Sequence, residues 1–303
     1  MSKKNLVLGG ILVVLIILAY LYQGPLKTWQ ENLGQPKNFL AKINTEEISR
    51  IEITQMGKQT SLEKESEGWK VAGTKDFFVK TAVADNLLSS LKDAGEADIE
   101  LVSENKDKKN EFQTGISGIQ VKLFQGEDEV RNFIIGKIGP DFDSSYVSQL
   151  DTDKTYLIKV NLFSPFNQPE WQDKVVFSSE KDKISKIRFQ YPTREFTIEK
   201  KDDTWQGTIP YGFTVSLEKI EEILNIMSNL TAISIPEQDF SKSGLDQHLI
   251  IVQATGEGID NTIMVGIANE NDLYYVKKDS SDNLYFITKE EKNELDKQIW
   301  QLK

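Results

Sequence analysis

The chain has 303 residues, with 36 Lys plus Arg against 47 Asp plus Glu, one His and no Cys. At 39% hydrophobic and 27% charged it has the make-up of a globular protein, and its length allows about two domains of roughly 150 residues. The lack of Cys excludes disulfide scaffolds, thiol nucleophiles, zinc–thiolate sites and Cys-ligated iron–sulfur clusters, and one His excludes multi-His metal centres. A net charge of −11 opposes broad attraction to phosphate backbones, so no nucleic-acid partner is expected.

The first predicted element is an uncharged apolar run of 17 residues from Leu6 to Tyr22. It is at the short end of what spans a bilayer, for which about 20 residues is typical. Lys3 and Lys4 precede it, and Tyr20, Tyr22 and Trp29 lie where aromatic rings settle at headgroups. The positive-inside bias places the N-terminus in the cytoplasm and exports the rest. A cleaved signal peptide has the same charged start and apolar middle, but bulky aromatics stand where its cleavage site needs small residues. The expectation is therefore a single-pass inner-membrane anchor over 1–22. Residues 23–44, punctuated by Gly24, Pro25, Gly34 and Pro36, read as a juxtamembrane linker.

The remainder contains its own copy. Ile48, Ile51 and Ile53 match Ile184, Ile187 and Phe189 at an offset of 136, which holds through Leu62-Glu63-Lys64 over Ile198-Glu199-Lys200 to Trp69 over Trp205. The offset falls to about 130 at Ile134-Ile135-Gly136 over Met264-Val265-Gly266. It is about 129 where Tyr146-Val147 meets Tyr275-Val276 and Tyr156-Leu157-Ile158 meets Tyr285-Phe286-Ile287. Small offset changes confined to turns are what loop deletions produce.

Each copy opens with three alternating strands, the third starting at the Trp. A helix follows, with stripes of Val79, Val83, Leu87, Leu88 and Leu91 in the first copy. In the second, the stripe is Leu217, Ile220, Ile223, Leu224, Met227 and Leu230, with Thr214 or Ser216 placed as cap. Four more strands come next, at 119–124, 130–135, 145–149 and 155–160, matched by 249–254, 262–266, 273–277 and 284–288. Thr288-Lys-Glu-Glu291 is a capping-box pattern opening a last helix with Leu295, Ile299 and Leu302 on one side. The predicted fold class is α+β: a transmembrane helix, then two tandem repeats at 45–160 and 181–303. Each repeat has an antiparallel sheet of about seven short strands and one packed helix. The connector at 161–180 contains Pro165 and Pro169, which preclude one long helix, while Phe163, Phe166 and Trp171 suggest that it docks.

The repeated Ile-x-x-Ile-x-Ile, Leu-Glu-Lys and Trp unit resembles the domain-of-unknown-function 4340 family. So do Phe-Ile-Ile-Gly-Lys at 133–137, Ser-Ser-Tyr-Val at 144–147, Tyr-Leu-Ile at 156–158 and Trp171-x-Asp-Lys. The resemblance implies a bacterial single-pass membrane protein with an exported α+β region. It also implies an accessory role beside an ABC-type envelope transporter, since members are often encoded next to such transporter genes, including those named for gliding motility. It supplies no catalytic residues.

The chemistry candidates have plainer explanations. His248 stands before an apolar strand without any Gly-x-Ser-x-Gly elbow, and reads as a strand-end side chain. Asp141 and Asp143 in one loop, and Asn269-Glu270-Asn271-Asp272 in another, lack the calcium-loop pattern and read as turns. Gly256-Glu-Gly258 reads as a hairpin tip rather than a phosphate loop. Trp69 and Trp205 read as core residues rather than a ligand platform. Asn229-Leu-Thr231 matches a glycosylation acceptor only formally. No catalytic, cofactor-binding or metal-binding residue is therefore expected. The expected function is a non-enzymatic, membrane-anchored extracytoplasmic binding or scaffold protein. The alternative is an exported glycan-binding or small-ligand-binding protein, or a carboxylate-based hydrolase, with its site in a cleft between the repeats.

Overall fold

A computed structural model describes Tyr20 and residues 36–73, 75–247 and 250–303. The expected membrane anchor lies, apart from Tyr20, outside the described residues, as does His248. Among the described residues no helix is long and apolar enough to cross a membrane.

The first sheet is antiparallel and contains β1 (Arg50–Gln55), β2 (Lys58–Glu65), β3 (Gly68–Val71), β4 (Ile99–Ser103), β5 (Ile119–Gln125), β6 (Asp128–Ile138), β7 (Ser145–Gln149) and β8 (Thr155–Ile158). Their order across the sheet is β3-β2-β1-β5-β6-β7-β8-β4. The second contains β9 (Ile184–Gln190), β10 (Glu195–Lys201), β11 (Thr204–Ile209), β12 (Phe213–Thr214), β13 (Ile250–Gly256), β14 (Ile259–Ala268), β15 (Tyr274–Lys278) and β16 (Tyr285–Ile287). Its order is β12-β11-β10-β9-β13-β14-β15-β16. Helices α1 (Thr81–Glu96), α2 (Lys109–Phe112) and α3 (Phe163–Phe166) accompany the first set, and α4 (Leu217–Ser228), α5 (Lys289–Leu295) and α6 (Ile299–Leu302) the second.

The duplication holds at the level of single hydrogen-bonded pairs. Ile51 faces Leu62 and Ile53 faces Thr60, while Ile187 faces Ile198 and Phe189 faces Phe196. Val121 opposite Phe133 corresponds to Val252 opposite Ile263, and Val147 opposite Tyr156 to Val276 opposite Tyr285. Because a one-residue slip would turn every apolar side chain to the other face, equal registers mean equal buried faces. The seven predicted strands per copy are the shared set, and each sheet has an eighth. In the first sheet it is β4, outside β8; in the second it is β12, outside β11. Each extra strand has a remnant in the other copy. The single bridge of Lys70 with Phe78 matches Gln206 with Thr214, and that of Ser234 with Phe286 matches Glu100 with Leu157.

Both copies also bulge at one place, between Ile135 and Ile138 and between Val265 and Ala268. Gly136 and Gly266 lie inside these bulges. A Cβ on Gly136 would come 2.2 Å from the Phe112 carbonyl oxygen, and one on Gly266 would come 2.0 Å from that of Ser243. Glycine stands there because another backbone passes across the strand.

The chain divides into two units. The first takes the chain up to Ser66 together with Thr81–Glu170, and the second takes Glu67–Lys80 and Trp171–Lys303. Residues 67–80 belong to the first copy by sequence but to the second unit by packing. Phe77 is buried in the second unit's core with Ile187, Phe189, Ile198, Trp205 and Val265, and meets Tyr285 edge-on at 5.5 Å. The Asp76 amide donates to Asn283 Oδ1 at 3.2 Å, and Asn283 Nδ2 donates back to the Asp76 carbonyl at 3.1 Å.

Three local expectations are corrected. Residues 38–44 are not a free linker: Leu40 is fully buried, and Asn38 Nδ2 donates to the Ala94 and Ala97 carbonyls at the end of α1. This satisfies acceptors that a helix end leaves open. In the helices the buried stripes shift. In α1 they are Ala84, Leu87, Ser90, Leu91 and Ala94, with Val79 ahead of the helix, and in α4 Leu217 faces solvent. Thr214 belongs to β12, and Ser216 occupies the N-cap position of α4 without a side-chain bond, its amide bonding Leu302 O instead. The last helix is two helices. The Thr288–Glu291 capping box forms in both directions, but α5 stops at Leu295, a second box of Gln298 and Gln301 opens α6, and the Tyr191 hydroxyl takes up the Lys297 carbonyl between them. Thr288→Ala should cost about 1 kcal/mol, seen as a lower urea midpoint with faster amide exchange in α5. The connector docks as expected through buried Phe166 and Trp171.

Candidate functional site

The acidic loops are turns. Asp141 accepts a hydrogen bond from Ser144 Oγ at 2.5 Å, which holds its carboxyl below the usual range. Asn269 Oδ1 accepts the amides of Asn271 and Leu273, and Asp272 pairs with Lys289 at 3.2 Å. Among the described residues no three His, Asp or Glu side chains gather as metal ligands would. Trp69 and Trp205 are both buried, so neither offers a ring face to a ligand. Gly258 has φ +70° in the two-residue turn joining β13 and β14, the hairpin tip read from sequence. Asn229 is the C-terminal cap residue of α4.

A polar cleft of about 360 Å³ in the second unit is lined by Phe177, Gln253, Asp260, Asn261, Thr262 and Lys278, among others. Its amides are committed internally. Gln253 Nε2 donates to Asp260 Oδ1 at 2.8 Å, and Asn261 Nδ2 donates to Ser179 Oγ and the Met227 carbonyl.

One surface of the second unit stands out by composition. β11 ends at Ile209, and the chain then runs through cis-Pro210 and Tyr211 into β12, an edge strand paired on one side only. The Tyr211 and Phe213 rings meet edge-on at 6.0 Å, and Gly207 lies directly under the Phe213 ring, leaving no room for a Cβ. Lys303 Nζ stands 5.7 Å from the Tyr211 ring centre and 5.8 Å from that of Phe213. Three residues before Lys303, Trp300 is 70% exposed, and Leu217 is exposed next to Ser216, whose amide donates to the Leu302 carbonyl. Exposed Trp and Tyr around an unpaired strand edge can meet a protein surface with both rings and backbone groups. Alternation identified the strands before this surface but could not show that its aromatics face outward.

A family model described as a domain of unknown function, DUF4340, matches residues 94–248, just over half the chain. The chain belongs to this family. The DUF4340 match runs from the end of α1 through β4–β12 and α4, so it takes in parts of both copies. No curated protein and no solved structure matches the chain.

Near the same surface, burial pushes the Tyr191 hydroxyl up to about 12, and the Asp296 charge adds to the shift. The neutral form is thus favoured in the folded protein. The unfolded chain ionises near 10, so stability is unaffected below pH 10 and falls as pH rises from 10 towards 12. Tyr191→Phe should flatten that alkaline limb, whose depth is at most about 2–3 kcal/mol, in urea titrations taken across it.

Proposed function

We propose that this DUF4340 member is a non-enzymatic binding protein. It is anchored in the inner membrane from Leu6 to Tyr22, with its N-terminus in the cytoplasm and its two α+β units outside. It works as an accessory or scaffold subunit of an ABC-type envelope transport complex. The observation that carries the binding role is the exposed pair Tyr211 and Trp300 at the unpaired edge of β12, with the Phe213 ring packed beneath against the core. The apolar run preceded by Lys3 and Lys4 supports the anchor.

The test is affinity purification of the full chain from detergent-solubilised membranes. Transporter subunits should be recovered, and Tyr211→Ser with Trp300→Ser should weaken recovery roughly 30-fold, as expected for about 2 kcal/mol of aromatic contact. Recovery equal to an unrelated anchored control would overturn the proposal. Removal of residues 1–22 should release the protein from the membrane fraction.

A further inference from the structure

The duplication provides an internal control for surface residues: where two copies share a turn, the fold cannot be the reason that they differ in polarity. The β6–β7 hairpin of the first unit meets this test, and two further tips of the same unit also carry exposed apolar side chains. The β1–β2 turn places Met56 at φ +50° followed by Gly57 at φ +79°, with Met56 89% exposed. The loop before β5 leaves Ile116 98% exposed. The β6–β7 hairpin puts Phe142 at φ +64°, 75% exposed. The aligned positions in the second unit are Gln247, Asp272 and Pro192, whose ring fixes φ at about −65° so that its turn takes another form from that at Met56. Asp272 has φ +59° and donates its amide to Asn269 O, just as the Phe142 amide donates to Gly139 O.

Left-handed φ is easy for Gly, Asn and Asp and strained for other side chains. A two-residue hairpin turn of this kind ordinarily begins with Asn or Asp. Two of the three tips thus hold an apolar side chain in solvent where a polar one would fit the backbone better. An exposed apolar side chain held at left-handed φ at two tips, with a third beside them, is the observation from which the inference starts.

The three tips lie at one end of the first sheet. Thr54 pairs with Gln120, Ile119 with Ile135, Ile138 with Ser145 and Ser145 with Ile158, so this end runs unbroken from the β1–β2 turn to β8. At strand spacings of roughly 4.8 Å the tips cover about 15 Å. The N-terminal segment joins the unit at the same end: Asn38 bonds the Ala97 carbonyl, two residues before Ile99, which pairs with Ile158. Only residues 23–37 separate Asn38 from the apolar run, a reach of at most about 50 Å.

We infer that Met56, Ile116 and Phe142 dip into the surface of the membrane that holds the N-terminal segment, seating the first unit on the bilayer. This rests on the anchor proposed above. Solitary apolar side chains on separate tips suit a soft planar interface, since a protein groove asks for contiguous area. Asp141 and Asp143 flank Phe142, and the Asp141 carboxyl is held in its charged form. The favoured headgroup is therefore the ammonium of phosphatidylethanolamine, and phosphatidylglycerol should oppose seating.

The chain has no Cys, so single cysteines can carry an environment-sensitive fluorophore without background. The full chain, labelled at Met56→Cys, Ile116→Cys or Phe142→Cys, would be reconstituted into phosphatidylethanolamine–phosphatidylcholine vesicles. Emission should shift to the blue and be quenched by lipid-borne nitroxides at all three sites, with neither effect at Gln247→Cys or Asp272→Cys. Added phosphatidylglycerol should reduce the quenching. Vesicles that float with protein whose three tips stay unquenched overturn this inference and leave the anchor standing. Protein that fails to float overturns both. A discrete protein adduct from a photo-crosslinker at position 142, with unquenched tips, reassigns the surface to a protein partner. The triple variant Met56→Asn, Ile116→Gln, Phe142→Asp should still float, lose the blue shift when labelled beside the tips, and unfold at higher urea than the parent.

Discussion

Truncating Phe77 to alanine is expected to destabilise the protein by about 3–5 kcal/mol, the range for deleting a buried aromatic ring. The expected location is more informative than the size. Phe77 precedes α1 in the first copy, yet its ring is packed among Ile187, Phe189, Trp205 and Val265 and stands edge-on to Tyr285. Hydrogen-exchange mass spectrometry should therefore show lost protection in β13–β16, with β5–β7 little changed. The opposite distribution would mean that residues 67–80 belong energetically to the copy from which they come. Asn283→Ala should act in the same place and more weakly, since it removes the bonds to the Asp76 amide and carbonyl but no large apolar surface.

The second large effect is expected at the paired glycines. Gly136→Ala and Gly266→Ala each press a methyl group against a backbone carbonyl oxygen, at 2.2 Å and 2.0 Å, and these oxygens, of Phe112 at the end of α2 and of Ser243 at the end of a 3-10 turn, belong to backbone rather than to a flexible side chain. Each should cost about 3 kcal/mol, measured as a shift in urea midpoint at constant m-value. Gly115→Ala is the control: its new methyl would meet only ordinary contacts at 3.8 Å and should change stability by less than about 1 kcal/mol. Equal losses at Gly136 and Gly266 would show that the two bulges are one inherited feature. If Gly136 and Gly115 behaved alike, the crossing backbone would be too soft to matter.

The seven-strand grammar was legible because period-two alternation marks half-buried antiparallel strands, and because two copies in fixed register confirm each other at every step, from Ile51 with Leu62 to Ile187 with Ile198. The capping box at Thr288 was legible because its chemistry spans four residues. The edge strands β4 and β12 were not: β4 alternates poorly, and β12 has only two residues. The end of α5 was hidden as well. At its break the Lys297 carbonyl accepts from the hydroxyl of Tyr191, a residue distant in sequence. The polarity difference at the tips was present in the aligned copies at Ile116 over Gln247 and Phe142 over Asp272. What it meant could not be read until exposure and backbone angles were known.

From its sequence alone this chain declares a duplicated α+β architecture, the spans of seven strands in each copy and its resemblance to DUF4340, since these follow from local periodicity and from self-similarity along the chain. Tertiary structure alone decided that residues 67–80 pack with the second copy and that Met56, Ile116 and Phe142 share one end of a sheet. The physical reason is that burial and proximity depend on which strands become neighbours. Hydrogen bonds between segments far apart in sequence set that, and no window of neighbouring residues contains it.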